Sequence, residues 1–162
     1  MFESSAGARF SRCRQYRYAL WRRWDLTRPP VMMIGLNPST ADAQNDDPTI
    51  RRCIRFARDW GGGGLIMTNL FAFRATDPAD LKQAPDPVGP GNDSWISRIS
   101  KLCPAPVAAW GNEGAWMGRS RLVRDRFGSR LQIIRLNQSG EPAHPLYLPA
   151  RMRPVSWTAQ RA

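Results

Sequence analysis

Between Met32 and Arg52 the sequence reads MMIGLNPSTADAQNDDPTIRR, an apolar run that gives way to Asn37, Pro38 and Ser39 and then to Asp42, Asp46 and Asp47. These residue types can do chemistry. An Asn side chain offers two donors and an acceptor, so Asn37 can hold a water or a substrate amide. A carboxylate such as Asp42 or Asp46 can activate water as a general base, and two of the cluster could hold Mg²⁺ beside a phosphate. Asp47 has a plainer role as well, since Asp followed by Pro48 is a helix-start signature with Asp as N-cap. Carboxylates in a solvated loop are the alternative for all three.

Other candidates stand at the ends of apolar runs. Asn69 closes the core of LIMTNLFAF, where its amide could read a nucleobase edge with Phe71 nearby, or simply cap a turn. Arg74 follows in the same stretch. Trp110 ends PVAAW and could line a base pocket. His144 is the only histidine in the chain, and Pro145 behind it restrains its backbone toward an extended shape. Its imidazole could stabilise negative charge developing on a leaving group, or serve structure alone. Gly35, Pro38 and Ser39, beside Asn37, are assigned with Asn69, Phe71, Arg74 and Trp110 to substrate binding. Gly61 to Gly64 lacks the Gly-Lys-Ser/Thr ending of a phosphate loop and precedes a strand, so it reads as a connector.

Positioning these groups requires strands and helices in alternation. Residues 16–24, YRYALWRRW, alternate aromatic or apolar groups with Arg and read as an edge strand or hairpin arm. Continuously apolar 31–36 reads as a strand covered on both faces. A helix follows from Pro48, with Ile50, Ile54 and Ala57 at helical spacing, and WGGGG ends it. Strands are expected at 65–73, 106–111 and 131–136, and helices at 92–103 and 115–128. That order predicts an α/β fold: a three-layer sandwich with a short, mostly parallel four-stranded sheet between helices, plus an N-terminal edge hairpin or strand. Ligands in such folds sit at the carboxyl ends of the strands, where the candidate residues gather. Residues 1–150 read as one α/β domain and 151–162 as a basic C-terminal tail.

With Lys+Arg 24 against Asp+Glu 13, the formal charge is +11 and the pI about 11.1, which suits a nucleic acid or nucleotide partner. Coding bias toward Arg is the competing explanation. Arg51 and Arg52, on the first helix, are assigned to phosphate. Three widely spaced Cys and one His fit neither a disulfide framework nor a metal site, so no metal or cofactor is expected. The sequence has no apolar run long enough to span a membrane and no signal core at its start, so no membrane partner is expected and the expected location is cytoplasmic.

Two resemblances rest on these stretches. GLNPSTAD, DDPTIRR, TNLFAFRATDP, AAWG and HPLYL resemble the recurring features of a bacterial family called domain of unknown function 1643. In the same order they resemble the landmarks of the uracil-DNA glycosylase superfamily, whose fold is a short parallel sheet between helices. That likeness implies that Asn37 positions the hydrolytic water, Asn69 reads the base, His144 stands at the leaving base, and Leu148 fills the gap left by a flipped nucleotide. Asn37 stands where the classical branch keeps an Asp, and Leu146 where it keeps a Ser. The expected function is therefore recognition or excision of a nucleobase, plain or modified, in nucleic acid or a nucleotide, by water attack at C1′, with an enzyme favoured. Two alternatives are a non-catalytic nucleic-acid-binding module and a metal-dependent phosphohydrolase or nuclease built on Asp42, Asp46 and Asp47.

Overall fold

The apolar runs become strands buried on both faces, and their pairing decides which polar groups meet. A computed structural model describes residues 2 and 4–161. Its first two strands, β1 (Ala6–Phe10) and β2 (Arg17–Arg23), form an antiparallel hairpin. Next come β3 (Val31–Gly35) and β4 (Gly64–Asn69), which pair in parallel from Val31↔Leu65 to Gly35↔Asn69. Then β5 (Pro106–Ala108) lies parallel to β3, and β6 (Gln132–Ile133) parallel to β5. Finally β7 (Val155–Ser156) runs antiparallel to β6.

Among the described residues the sheet therefore has seven strands in the order β1-β2-β4-β3-β5-β6-β7 and is mixed, which corrects the expected four-stranded, mostly parallel sheet. The expected edge element is integral to it: β2 pairs antiparallel with β4, and Ala19 and Leu20 are fully buried. At the far edge, β7 comes from the stretch read as a basic tail. It is two residues long, too short to show a period, and is anchored by Trp157, which packs against Trp110 at 5.9 Å between ring centroids. Several elements are shorter than their patterns predict. The run 65–73 leaves the sheet after Asn69: the Leu70 N–H makes the last ladder bond, to Gly35 O, and the Phe71 N–H turns to the Leu36 carbonyl beyond β3. The helix expected at 115–128 begins as a 3₁₀ turn that breaks at Met117, whose φ of 54° is left-handed.

Helices cover both faces. On one lies α1 (Pro48–Asp59), capped by the Asp47 carboxylate, which accepts the Ile50 N–H at 2.8 Å. Its Ile50, Cys53 and Phe56 pack with Met33, Leu65 and Met67. On the other, α3 (Asn92–Ser100) and α4 (Arg119–Phe127) set Ile96, Ile99 and Val123 against Met32, Ile34 and Ile66. Successive strand residues thus feed opposite cores, as the period of two requires. The short α2 (Pro78–Gln83) lies between β4 and α3 in the chain. Among the described residues, no helix is long and apolar enough to cross a membrane.

Candidate ligand site at the carboxyl edge

A cavity of about 210 Å³ lies where β3 and β4 end, and Gly35, Asn37, Asn69, Trp110 and His144 line it. Its size is below the roughly 300–1,000 Å³ of drug-sized sites, which suits a single ring system and its substituent. The sheet order places β2 on one side of this edge and β5 on the other, with β4 and β3 between them.

Among the described residues, Asn69 is one of two in the cavity lining, with Arg17, whose side chain has a buried polar atom without a partner. It is 3% exposed, and its Oδ1 is sealed from solvent without a hydrogen-bond partner. Its backbone, by contrast, is held: Asn92 Nδ2 donates to the carbonyls of Asn69 and Leu70 at 2.8 and 3.0 Å. Arg119, 4% exposed, adds two donations to Leu70 O while forming a two-pronged ion pair with Asp93. The main chain is fixed while the side-chain oxygen is left without a partner. An acceptor buried without a partner costs about 1–3 kcal/mol, a cost that a ligand donor would remove.

Asn37 has the opposite arrangement. Its Nδ2 donates to the carbonyls of Pro38 and Ala75 at 3.1 and 2.8 Å, tying together the loops after β3 and β4. The amide is thereby fixed, and its oxygen is the atom left to accept from a water. Asp47 lines the same cavity. One carboxylate oxygen caps α1, and the other makes no hydrogen bond within the protein among the described residues. His144 is half-buried, and its Nδ1 accepts the Leu146 N–H at 3.3 Å. That bond leaves the proton of the neutral ring on Nε2, as a donor. Burial lowers the His144 pKa below the ordinary value, with the Asp47 charge opposing the shift, so the ring is neutral at neutral pH. Trp110 forms an apolar wall and donates Nε1–H to Glu141 at 2.8 Å.

Other residues singled out from the sequence lie elsewhere. Asp42 accepts the amides of Gln44 and Asn45, closing its own turn; these bonds hold its carboxyl below the usual carboxylate range. Asp46 pairs with Arg22 at 2.8 Å. Neither lines the cavity, and among the described residues no three His, Cys, Asp or Glu side chains converge as a metal-binding group. Phe71 is fully buried and packs on Trp116. Pro38 is buried beneath the loop, whereas Ser39 lines the cavity. Arg51 donates to Asp46 O, and Arg52 to Leu148 O; both guanidinia serve the loops. Leu148, 2% exposed, sits in the α1 core, so it cannot project into a duplex; the exposed residues of HPLYL are Leu146, at 38%, and Tyr147, at 82%. Cys53 and Cys103 are buried and their thiols pushed up to about 12, which excludes them as nucleophiles at neutral pH.

Two charged residues that line the cavity, Asp47 and Arg17, are not assigned there from the sequence. Asp47 reads as a cap and, with Asp42 and Asp46, as part of the alternative metal-dependent site. Arg17 lines the cavity from β2, but it is one of several Arg residues in YRYALWRRW and nothing local distinguishes it.

Together, fold and site define an α/β protein with a small polar cavity at the carboxyl edge of a mixed sheet. Residues 17–146 match the family described as protein of unknown function DUF1643, and the chain belongs to that family. The match runs from Arg17 past His144, so it includes every cavity residue. No curated protein and no solved structure gives a significant match.

Proposed function

We propose that the cavity receives a nucleobase and that the protein hydrolyses the N-glycosidic bond to it. The observation that carries this reading is the buried, unpartnered Oδ1 of Asn69, since an amide with unused bonding capacity in the lining of a small cavity beside a Trp wall is suited to a base edge. Asn37 Oδ1 and the free oxygen of Asp47 hold the water, and Asp47 takes its proton as the oxygen bonds to C1′. The C1′–N bond breaks with its electron pair going to the base. His144 donates a hydrogen bond from Nε2 to that base and stabilises its developing charge. Asp42 and Asp46 take no part, being committed to their loop and to Arg22.

The test is a single-turnover assay at low salt, with and without EDTA. Substrates are free nucleotides and single- and double-stranded DNA carrying uracil, deaminated and hypermodified bases, with released base and strand breaks scored separately. Base release that survives EDTA and is lost in Asn69→Ala and His144→Ala is the expected result. Tight binding with neither product would instead make the protein a recognition module, and EDTA-sensitive strand breaks a nuclease.

A further inference from the structure

The chemistry above leaves Arg17 unused. Its side chain is 2% exposed; Nη1 donates to the Ala41 carbonyl at 2.7 Å, and Nε is sealed without a partner. Among the described residues no carboxylate forms an ion pair with it. Asp47 is near enough to favour its charge, but burial outweighs this and draws the guanidinium down to about 10. Arg17 is therefore still a cation at neutral pH, in a place where a desolvated charge needs an anion to answer it.

A second observation points the same way. An open groove of about 460 Å³ shares Ser39, Ala75 and Thr76 with the cavity and adds Arg14 and Arg74. Arg74 Nε is also buried without a partner. Arg14 and Arg74 both lie over the Phe10 ring, at 4.3 and 4.8 Å, so aromatic contact holds two cations in the adjoining groove. One side of the site thus carries three guanidinia and the hydroxyls of Ser39 and Thr76.

We propose that the Arg17 end of the cavity is a subsite for a phosphate monoester, and that the ligand is a free nucleotide with its base at Asn69 and its phosphate at Arg17. This assignment rests on the reading of the cavity as a nucleobase site. The sheet order supports the layout: Arg17 enters from β2, Asn69 and Asn37 follow β4 and β3, and Trp110 follows β5. Arg17 and Asn69 stand on neighbouring strands, about 4.8 Å apart, so the phosphate and base subsites adjoin. A chain terminus fits better than a polymer, because Arg17 is enclosed and a phosphodiester would have to leave the cavity again on its far side.

The test is calorimetric titration of the full chain with each nucleoside 5′-monophosphate, its own nucleoside, inorganic phosphate, and a single-stranded oligonucleotide. The best monophosphate is expected to bind roughly 10- to 100-fold more tightly than its nucleoside, the range for a hydrogen-bonded charge pair. Arg17→Met should abolish that difference while leaving nucleoside affinity unchanged, and Arg17→Lys should restore part of it. Equal binding of nucleoside and monophosphate, or binding of the oligonucleotide alone, overturns the proposal. Should Arg17→Met fail to fold, the wild-type comparison decides by itself. A phosphate preference that is blind to base identity and to Asn69→Ala would keep the anion subsite and remove the nucleobase reading, whereas base-selective binding without that preference would do the reverse.

Discussion

Gly35 stands opposite Asn69 in the parallel β3–β4 pair, and a Cβ on Gly35 would lie 2.9 Å from Asn69 Nδ2 and 2.6 Å from Met67 Cε. Glycine is required here for space. Gly35→Ala must displace either the Asn69 amide or Met67, at a cost of about 1–3 kcal/mol in urea unfolding. The variant is expected to lose base-dependent binding at temperatures where it remains folded. Retained binding would show that the Asn69 edge is not the reader.

The latch behind Asn69 is a separate matter. Arg119→Met leaves the Leu70 carbonyl with only its Asn92 donor and strands Asp93, which is partly solvated, so about 2–4 kcal/mol of stability should go. Arg119 also lowers the Asp93 pKa through its hydrogen bonds. With Asp93 depressed in the folded state, the pair stabilises above the unfolded carboxyl value and loses that contribution as pH falls through the folded one. Urea titrations at neutral and acid pH should find the wild type and Arg119→Met converging in acid. A constant gap would sink the assignment.

Among the acidic residues, Asp47 alone is expected to matter for turnover. Asp47→Asn keeps a good N-cap, so the melting transition should hardly move. Base release should nevertheless fall by about 10²-fold or more, because the general base is gone. Asp42→Asn and Asp46→Asn should retain activity. Loss in those two with retention in Asp47→Asn would reverse the roles.

His144 can be followed directly, being the only histidine. Its pKa is lowered by burial, so the unfolded chain binds the proton first as pH falls below about 6.5. Its contribution to stability is therefore fully present above that value and is lost as pH drops toward the folded pKa. Proton NMR of the imidazole should titrate below the free value, and ¹⁵N shifts should report the proton on Nε2. A midpoint at or above the free value contradicts the buried, donating ring.

Leu148 and Tyr147 should separate cleanly. Leu148→Ala empties part of the α1 core and is expected to cost about 2–5 kcal/mol. Tyr147 is exposed, with its ring centroid 6.0 Å from that of His144, so Tyr147→Ala should leave stability within about 0.5 kcal/mol. Any effect of Tyr147→Ala on ligand affinity would place that ring at the mouth of the cavity; the opposite pattern of stabilities would contradict the packing.

Short-range pattern was enough for much of the site. The apolar runs 31–36 and 65–73 are continuous enough to mark buried strands, although the second strand stops at Asn69, and the polar residues at their ends fall at the carboxyl edge. Asp47 before Pro48 starts a helix through its own carboxylate, and Pro145 sets the backbone at His144. Each of these depends on residues a few positions apart. Arg17 does not: its burial requires β2 to lie against β4, a pairing across more than forty residues that alternating Arg and aromatic side chains leave open. Likewise HPLYL does not say which of its apolar residues faces outward, and only packing against α1 buries Leu148 and leaves Tyr147 in solvent. The seventh strand exists because Trp157 docks on Trp110, not because two residues have a period. Local sequence determined which groups reach the edge of the sheet, while long-range packing decided which of them are buried there without partners.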